Sequence, residues 1–472
     1  MTIRPTIDLD MWHQMALIRE AFELGKIPYS DCFAFTPTVY PVVHHEWGCG
    51  LVAYPLMLLM GGTGIVVLKY GLVFTLGWIL YQYLRKQKVS LITSLFTLPI
   101  SMLMLSAGFS TVRGQIYSFL FAALCLWFFL QDREGSRRWI KWFIPLFLLW
   151  VNLHGGFILA FFFLGAYGFE QWMRKQPCRH LLVLMVMCAG LIVVNPYGYH
   201  MYPYMWHALT MPRPLIQEWG PIWIHLDWPV VLILGTSLLL LLYAYWKTPW
   251  RELEHGWMLL FLLIGTIFVF RLLFFYAIVW TYTIPAALSR TPLNQVFRNI
   301  WKEFPIVLMA LFSIASVFYV GKIVFSKPWH LEVTAQPPSK LYYPVGAVEY
   351  LKVNAVEGDL FVSFNWGSYV MWKLHPKIKI SLDSRYEAAY PPSMMDEMHD
   401  FYKANPSWKE ILKKYNPTLI LVNKSDKIQK ELDALFGWEK VYQDNQSALY
   451  AWEFLHLPSC IKIGPLDEGV IP

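Results

Sequence analysis

Between residues 63 and 325 this chain is a near-continuous succession of apolar runs. They fall near 63–84, 89–109, 115–131, 139–152, 157–172, 180–195, 228–246, 256–270, 273–289 and 304–325. A helix that crosses a bilayer needs about 20 apolar residues, so the shorter runs imply tilt or partial burial. Composition agrees: hydrophobic residues make up 56% and charged residues 15%, where a soluble chain carries nearer a quarter charged. The mean hydropathy is +0.40. The pattern predicts a polytopic α-helical membrane protein with about ten spans. The stretch 46–61 is shorter, follows charged residues and reads as an interfacial or re-entrant helix.

Lys and Arg set the orientation. One set of loops is basic: Arg85-Lys86-Gln87-Lys88, Arg133 with Arg137-Arg138, Arg174-Lys175 with Arg179, then Lys247, Arg251, Arg290, Arg298 and Lys302. The alternate loops are poor in basic residues and rich in His, Trp, Tyr, Asn and Gly. Ten spans in this register put residues 1–48 and 326–472 on the external face. A polar N-terminal stretch seldom crosses a membrane unaided, so a first span upstream of Met1 is expected. The net charge of +7 reflects the basic loops and gives no reason to expect nucleic acid as a partner. The 23 Trp suit two interfacial belts.

Three regions follow: an external loop with amphipathic or interfacial helices at 1–62, a transmembrane bundle at 63–325, and an external soluble α/β domain at 326–472. Lys327-Pro328 and Gln336-Pro337-Pro338 read as the linker. In the tail, 359–364, 378–382, 418–422 and 448–452 read as buried strands, and 366–374, 392–403, 406–415 and 427–436 as helices. That alternation predicts a mainly parallel sheet.

Polar residues concentrate ahead of the first long apolar run and at the outer ends of later ones. Asp8 or Asp10 can cap a helix with the apolar stripe Met11, Met15, Ile18 and Phe22, ending at Gly25. Lying on the membrane, such a helix would hold both carboxylates at the interface. There an Asp can act as general base or bind a divalent cation, or serve only as a cap. His44-His45-Glu46 can transfer protons or bind metal, although adjacent side chains diverge too far for all three to reach one ion easily. The later polar ends are Ser110-Thr111-Val112-Arg113-Gly114-Gln115, Trp150-Val151-Asn152-Leu153-His154-Gly155-Gly156, Asn195-Pro196-Tyr197-Gly198, Glu218-Trp219 and Arg271. Each alone has a bland reading as a turn or a snorkelling side chain. Charged groups at membrane depth cost about 2.5–3.5 kcal/mol each, so their number points to a site. Arg113 and Arg271 can hold a phosphate by paired hydrogen bonds.

Asp383-Ser384-Arg385 follows a strand, where open α/β sheets place binding groups; an ion pair fixing the loop is the alternative. The six Cys form no CxxC pair and no zinc spacing. Cys32 and Cys49 can pair if both are external. P-loop, GxGxxG, HExxH and GxSxG motifs are missing, which removes support for soluble nucleotide chemistry.

Four groups of residues together resemble the GT-C superfamily of membrane glycosyltransferases, in particular its bacterial members related to dolichyl-phosphate-mannose–protein mannosyltransferases. They are Asp8-Leu9-Asp10-Met11-Trp12-His13 with Gly25 to Thr36 and His45-Glu46-Trp47; Trp150 to Gly156; Asn195-Pro196-Tyr197-Gly198 with Glu218-Trp219; and Asn365-Trp366-Gly367-Ser368-Tyr369 with Asp383-Ser384-Arg385. Their order and spacing span nearly the whole chain. The resemblance implies a GT-C-like bundle in a bacterial plasma membrane with a periplasmic α/β domain. It implies transfer of a sugar from a polyprenyl-phosphate lipid to a protein, lipid or glycan acceptor on the outer face.

The expected catalytic residues are Asp8, Asp10 and Glu46. His13, His45, Arg113, Gln115, Asn152, His154, Glu218 and Arg271 are expected to bind substrate. A divalent metal ion, if used, would take Asp8, Asp10 and His45. The alternatives are a non-catalytic membrane scaffold or complex subunit, with the α/β tail as its interaction module, and a lipid or solute transporter. Against the transporter stands the lack of a twofold repeat or paired broken helices.

Overall fold

The structure is a computed structural model that describes residues 6–109, 111–213, 216–325, 329, 331, 333 and 342–461. Ser110 and the expected linker at Lys327-Pro328 and Gln336-Pro337-Pro338 lie outside the described residues. The chain divides into two compact units. One takes in Val66–Val194 and Pro212–His330, the other Thr6–Ile65, Asn195–Met211 and Leu331–Pro472.

The helices, in chain order, are α1 (Leu9–Leu24), α2 (Trp47–Met60), α3 (Gly62–Lys86), α4 (Leu91–Ser106), α5 (Gln115–Arg133), α6 (Ile140–Leu153), α7 (Ile158–Met173), α8 (Arg179–Leu191), α9 (Met201–Thr210), α10 (Trp228–Lys247), α11 (Gly256–Phe268), α12 (Leu273–Leu288), α13 (Pro292–Glu303) and α14 (Pro305–Phe325). Then come α15 (Val345–Val353), α16 (Phe364–Leu374), α17 (Tyr386–Ala389), α18 (Ser393–Tyr402), α19 (Trp408–Tyr415) and α20 (Ile428–Asp433).

In the helical unit, α12 is buried along its whole length, as a helix apolar on every face must be. It packs against α4, α5, α10 and α11. By contrast α3, α10 and α14 leave many large apolar side chains outward, among them Phe74, Trp78, Leu232, Leu239, Ile306 and Phe318. That is the surface a lipid environment tolerates. Among the described residues, four helices are long and apolar enough to cross a membrane: Gly62–Lys86, Gln115–Arg133, Trp228–Lys247 and Phe270–Leu288. The pair α13 and α14, bent by 91°, makes a fifth if it counts as one span. Several other expected spans form shorter helices, including α4, α6, α8 and α11. Gly155–Phe157 and Phe270–Leu272, each a single 3-10 turn, stand where the sequence separates neighbouring apolar runs.

The second unit is built on a six-stranded sheet. Numbered after the short extended segments β1 (Thr6–Ile7) and β2 (Thr111–Val112), its strands are β3 (Gly358–Phe361), β4 (Ile378–Ile380), β5 (Leu419–Asn423), β6 (Trp438–Gln443), β7 (Ser447–Trp452) and β8 (Cys460–Ile461). Their order is β4-β3-β5-β7-β6-β8. β3 is parallel to β4 and β5, and β8 to β6, but β7 is antiparallel to both neighbours. The sheet is therefore mixed rather than mainly parallel. The reason is a hairpin: buried Asp444 accepts the amides of Gln446 and Ser447 at 2.7 Å each, turning β6 directly into β7.

Helix α1 forms as its pattern predicts. Asp8 caps it by accepting the Asp10 amide at 3.3 Å, and Gly25 ends it at φ 68°. Its surroundings differ from the membrane surface expected. Met11, Trp12, Met15, Leu17 and Ile18 are buried, and the helix packs on α2 and α16. Trp12 meets Tyr343 and Tyr369 edge-on at 5.7 and 5.2 Å. Of the stripe, Phe22 alone is exposed. The segment after α1 then joins the sheet: Phe35 N donates to Ile380 O, and Ile380 N to Phe33 O. Gly367 lets α16 cross closely over the β4 exit, since a Cβ there would sit 1.9 Å from Leu382 O.

Candidate functional site

The polar N-terminal residues and the strand-end loop after β4 come together in the second unit. On α1, Asp10 has a 42% exposed side chain and lies 3.7 Å from His13 Nε2. Gln14 Nε2 donates to Glu46 Oε2 at 2.5 Å. Glu46 also stands 3.4 Å from His45 Nε2. His45 Nδ1 meets the Tyr204 hydroxyl at 2.7 Å, with the rings stacked, and that hydroxyl reaches Glu387 at 3.1 Å. Burial alone would lower the His45 pKa. The hydrogen bond and charge of Glu46, joined by Glu387 and Asp10, outweigh it and raise the value. His44 behaves oppositely: burial first, then the charges of Arg385, His13 and His45, hold it well below the ordinary value. Two adjacent histidines are thus biased to different protonation states. Tyr204 and Glu387 carried no signal in the sequence, because an isolated Tyr or Glu on a short helix has no telling spacing.

Beside this cluster Arg385 is held between two carboxylates. Its Nη1 donates to Asp31 at 2.5 Å, its Nη2 to Asp383 at 2.6 Å, and its Nε to both oxygens of Asp383. The Tyr390 hydroxyl donates to Asp383 at 3.2 Å. Asp31 is fixed in turn by accepting the amides of Phe33 and Ala34. Burial opposes ionisation of Asp383, but Arg385 prevails and its pKa is lowered. This is the loop-fixing ion pair that the sequence left as one of two alternatives for Asp383 and Arg385. Cys32 and Cys49 are both free thiols rather than a disulfide; Cys49 lies in α2, with Met11 Sδ 3.7 Å from its sulfur.

The helical unit holds the remaining candidates. Arg113 grips Glu218 with two parallel bonds of 3.1 and 3.0 Å. Arg271 lies over the Trp219 ring at 5.4 Å, and Arg213 over the same ring at 4.4 Å. Burial pushes the Glu218 carboxyl up, but Arg113 chiefly, with Arg271 and His225, brings it down to about 2. Gln115 is buried at the start of α5 with both side-chain polar atoms unpaired among the described residues. His154 Nδ1 accepts from the Gly156 amide at 2.9 Å and meets Ser118 Oγ at 2.7 Å. Trp150 Nε1 donates to the same Ser118 oxygen. Gly156 is required here, because a Cβ would fall 2.4 Å from Ser118 Oγ. Asn152 donates to the carbonyls of Leu148 and Val194. His154 and Asn152 therefore shape backbone turns.

The residues suggested for a metal ion do not fit one. Asp8 caps α1, and His45 is engaged by Tyr204 and Glu46. Among the described residues, Asp8, Asp10 and His45 do not form a group whose ligand atoms converge.

The sequence matches no family model and no curated protein. Solved structures do match. The oligosaccharyltransferase AglB of Archaeoglobus fulgidus, in complex with an inhibitory peptide and a dolichol-phosphate, aligns over 89% of this chain and 66% of its own, with a TM-score of 0.55 and 12% identity. The apo form of the oligosaccharyltransferase from that organism aligns over 96% and 72%, with a TM-score of 0.52 and 12% identity. The arabinofuranosyltransferase AftD from mycobacteria aligns over 95% of this chain but 38% of its own, with a TM-score of 0.53 and 14% identity. The chain thus spans about two thirds of the archaeal enzyme and well under half of the mycobacterial one. Identities this low establish architecture alone. With its several apolar helices and its small sheet unit, the chain has the fold of the GT-C superfamily of membrane glycosyltransferases.

Proposed function

We propose that this protein is a membrane glycosyltransferase that moves a sugar from a polyprenyl-phosphate carrier to an acceptor on the outer face of a bacterial plasma membrane. The observation that carries this reading is the Arg113–Glu218–Arg271 cluster in a GT-C fold. Arg113 holds Glu218 with two hydrogen bonds, and the charges of Arg113 and Arg271 both act on that carboxylate. Such a site attracts the phosphate of a lipid carrier, and paired Arg hydrogen bonds suit phosphate oxygens. The archaeal neighbour's complex with a dolichol-phosphate and a peptide supports a lipid-linked donor and a protein acceptor; a glycan acceptor is the other candidate. The basic loops support the outer-face orientation, with residues 1–48 and 326–472 external.

In the reaction, an acceptor hydroxyl or amine attacks the anomeric carbon. The bond from that carbon to the carrier phosphate breaks, and its electron pair leaves with the phosphate. Asp10, half exposed and close to His13, takes the acceptor proton as general base. Glu46 and His45 form the second acid–base pair, while Asp8 caps and orients the helix that presents Asp10. Arg113 and Arg271 stabilise the leaving phosphate, and Gln115 offers a buried amide to the donor. His13 adds a further polar contact beside Asp10. Asn152 and His154 hold backbone turns of the helical unit.

Purified protein in liposomes, given a polyprenyl-phosphate sugar, tests this. Alanine at both Asp8 and Asp10 should abolish transfer in protein that still elutes as the native species. Alanine at Arg113 or Arg271 should raise the donor KM about tenfold or more, the loss of a charge-assisted contact. Unimpaired turnover in the Asp8/Asp10 double variant would remove the assignment.

A further inference from the structure

We propose that Glu20, Cys32 and His375 form a binding site for a divalent transition-metal ion, with Zn2+ the best fit. None of the three belongs to the residues assigned to sugar transfer. Glu20 comes from the C-terminal part of α1, Cys32 from the segment that follows, and His375 from the residue after α16. One ligand atom from each lies within 4.8 Å of the others. Glu20 Oε2 and His375 Nε2 are already 3.1 Å apart. In a tetrahedral zinc site with bonds of about 2.0–2.3 Å, donors stand about 3.3–3.6 Å from one another. An ion therefore fits with small side-chain adjustments.

The donor set is selective. One carboxylate, one imidazole and one thiol suit zinc, whereas Ca2+ and Mg2+ prefer oxygen throughout. The ring is itself held inside the fold. His375 Nδ1 is buried without a hydrogen-bond partner among the described residues, and its side chain is only 7% exposed. Its Nε2 faces Glu20 and is the nitrogen placed to bind the ion. Phe33 packs edge-on against this ring at 4.7 Å and walls one side of the site. Asp31, next in sequence to Cys32, is locked by Arg385 at 2.5 Å, so the segment carrying the thiol is positioned before an ion arrives. Binding would expel the thiol proton to solvent and join α1, the following segment and the α16 exit through one centre. Three protein ligands leave a fourth position for water.

The test uses the full chain in detergent, stripped by chelator, without a histidine tag, and titrated with Co2+. One equivalent should bind and produce the near-ultraviolet absorption of thiolate-to-cobalt charge transfer, which Zn2+ then bleaches. Cys32→Ser should abolish the band, and Glu20→Gln and His375→Gln should each weaken binding by about tenfold or more. A readout on the unaltered protein guards against unfolded variants: Zn2+ should protect Cys32 from alkylation while the other five cysteines react as before. A chain that shows no band and no protection, or a band that survives in Cys32→Ser, overturns the proposal.

Discussion

Two arginines, one in each unit, sit in opposite balances of charge. Arg385 lies between Asp31 and Asp383, two carboxylates to one guanidinium, with all three side chains essentially excluded from water. Arg113 grips one carboxylate, Glu218, on which Arg271 also acts, so that node holds two guanidiniums to one carboxylate. Exposure differs as well: the Glu218 side chain is 40% exposed and that of Arg113 14%. Arg385 is thus closed on itself and acts as a fastener. The Arg113 node leaves its carboxylate within reach of water. The same residue type is sealed in one unit and meets a solvent-exposed carboxylate in the other.

The sharpest way to break this contrast is to remove each arginine. Arg385→Met leaves two carboxylates buried without their cation, and should destabilise the second unit by about 3–5 kcal/mol. Arg113→Met frees a carboxylate that water can reach, and should cost under about 1 kcal/mol. Hydrogen exchange, reporting each unit by its own amides, measures both. Equal losses would show that the two nodes do the same work.

Acid is the next lever. The Glu218 carboxyl is held down to about 2, below its ordinary 4.5. A carboxylate depressed in this way contributes stability above its unfolded value, and that contribution is lost as pH falls towards 2. Asp383 is lowered for the same kind of reason, with Arg385 overcoming burial, so its contribution is also lost in acid. Both units should therefore loosen on acidification, the second unit more strongly because its pair is dry. Glu218→Gln should flatten the acid response of the helical unit alone, read by the same exchange experiment. An unchanged acid response in that variant would show that the Arg113 node is not where it arises.

Much of this architecture was legible in the sequence, and the failures have physical causes. Helix α1 carried its stripe, its capping Asp8 and its terminal Gly25, and it folds within those bounds. What covers the stripe was not legible, since a protein face and a lipid surface ask for the same apolar residues. The four strands with continuous apolar runs were visible. The strand Trp438–Gln443 was not, because Glu439, Lys440 and Gln443 dilute its period and the hairpin rests on one buried Asp444. Among site residues, spacing grouped Asp8, Asp10 and His13, which share a helix. It could not pair Asp31 with Arg385, which are separated by most of the chain, nor Tyr204 with His45. Arg113 and Glu218 were each singled out, but the two-bond grip that joins them depends on loop geometry that no local pattern encodes.

The smallest expected effect lies on the alkaline side and separates the two nodes most cleanly. His45 is pulled down by burial and raised, on balance, by Glu46, Glu387 and Asp10. A histidine raised above its unfolded value of about 6.5 contributes stability that is complete below that pH and disappears as pH rises through the folded value. The second unit should therefore be slightly more protected from exchange near pH 6 than near pH 8, by well under the loss expected for Arg385→Met. Glu46→Gln removes the principal source of the shift and should erase the difference. Tyr204→Phe keeps Glu46 and Glu387 in place, so most of the difference should remain. In the Arg113 node the arginines stay protonated and Glu218, held down to about 2, stays ionised across that range. A difference between pH 6 and pH 8 that survives unchanged in Glu46→Gln would mean that the titrating group in the second unit is not His45.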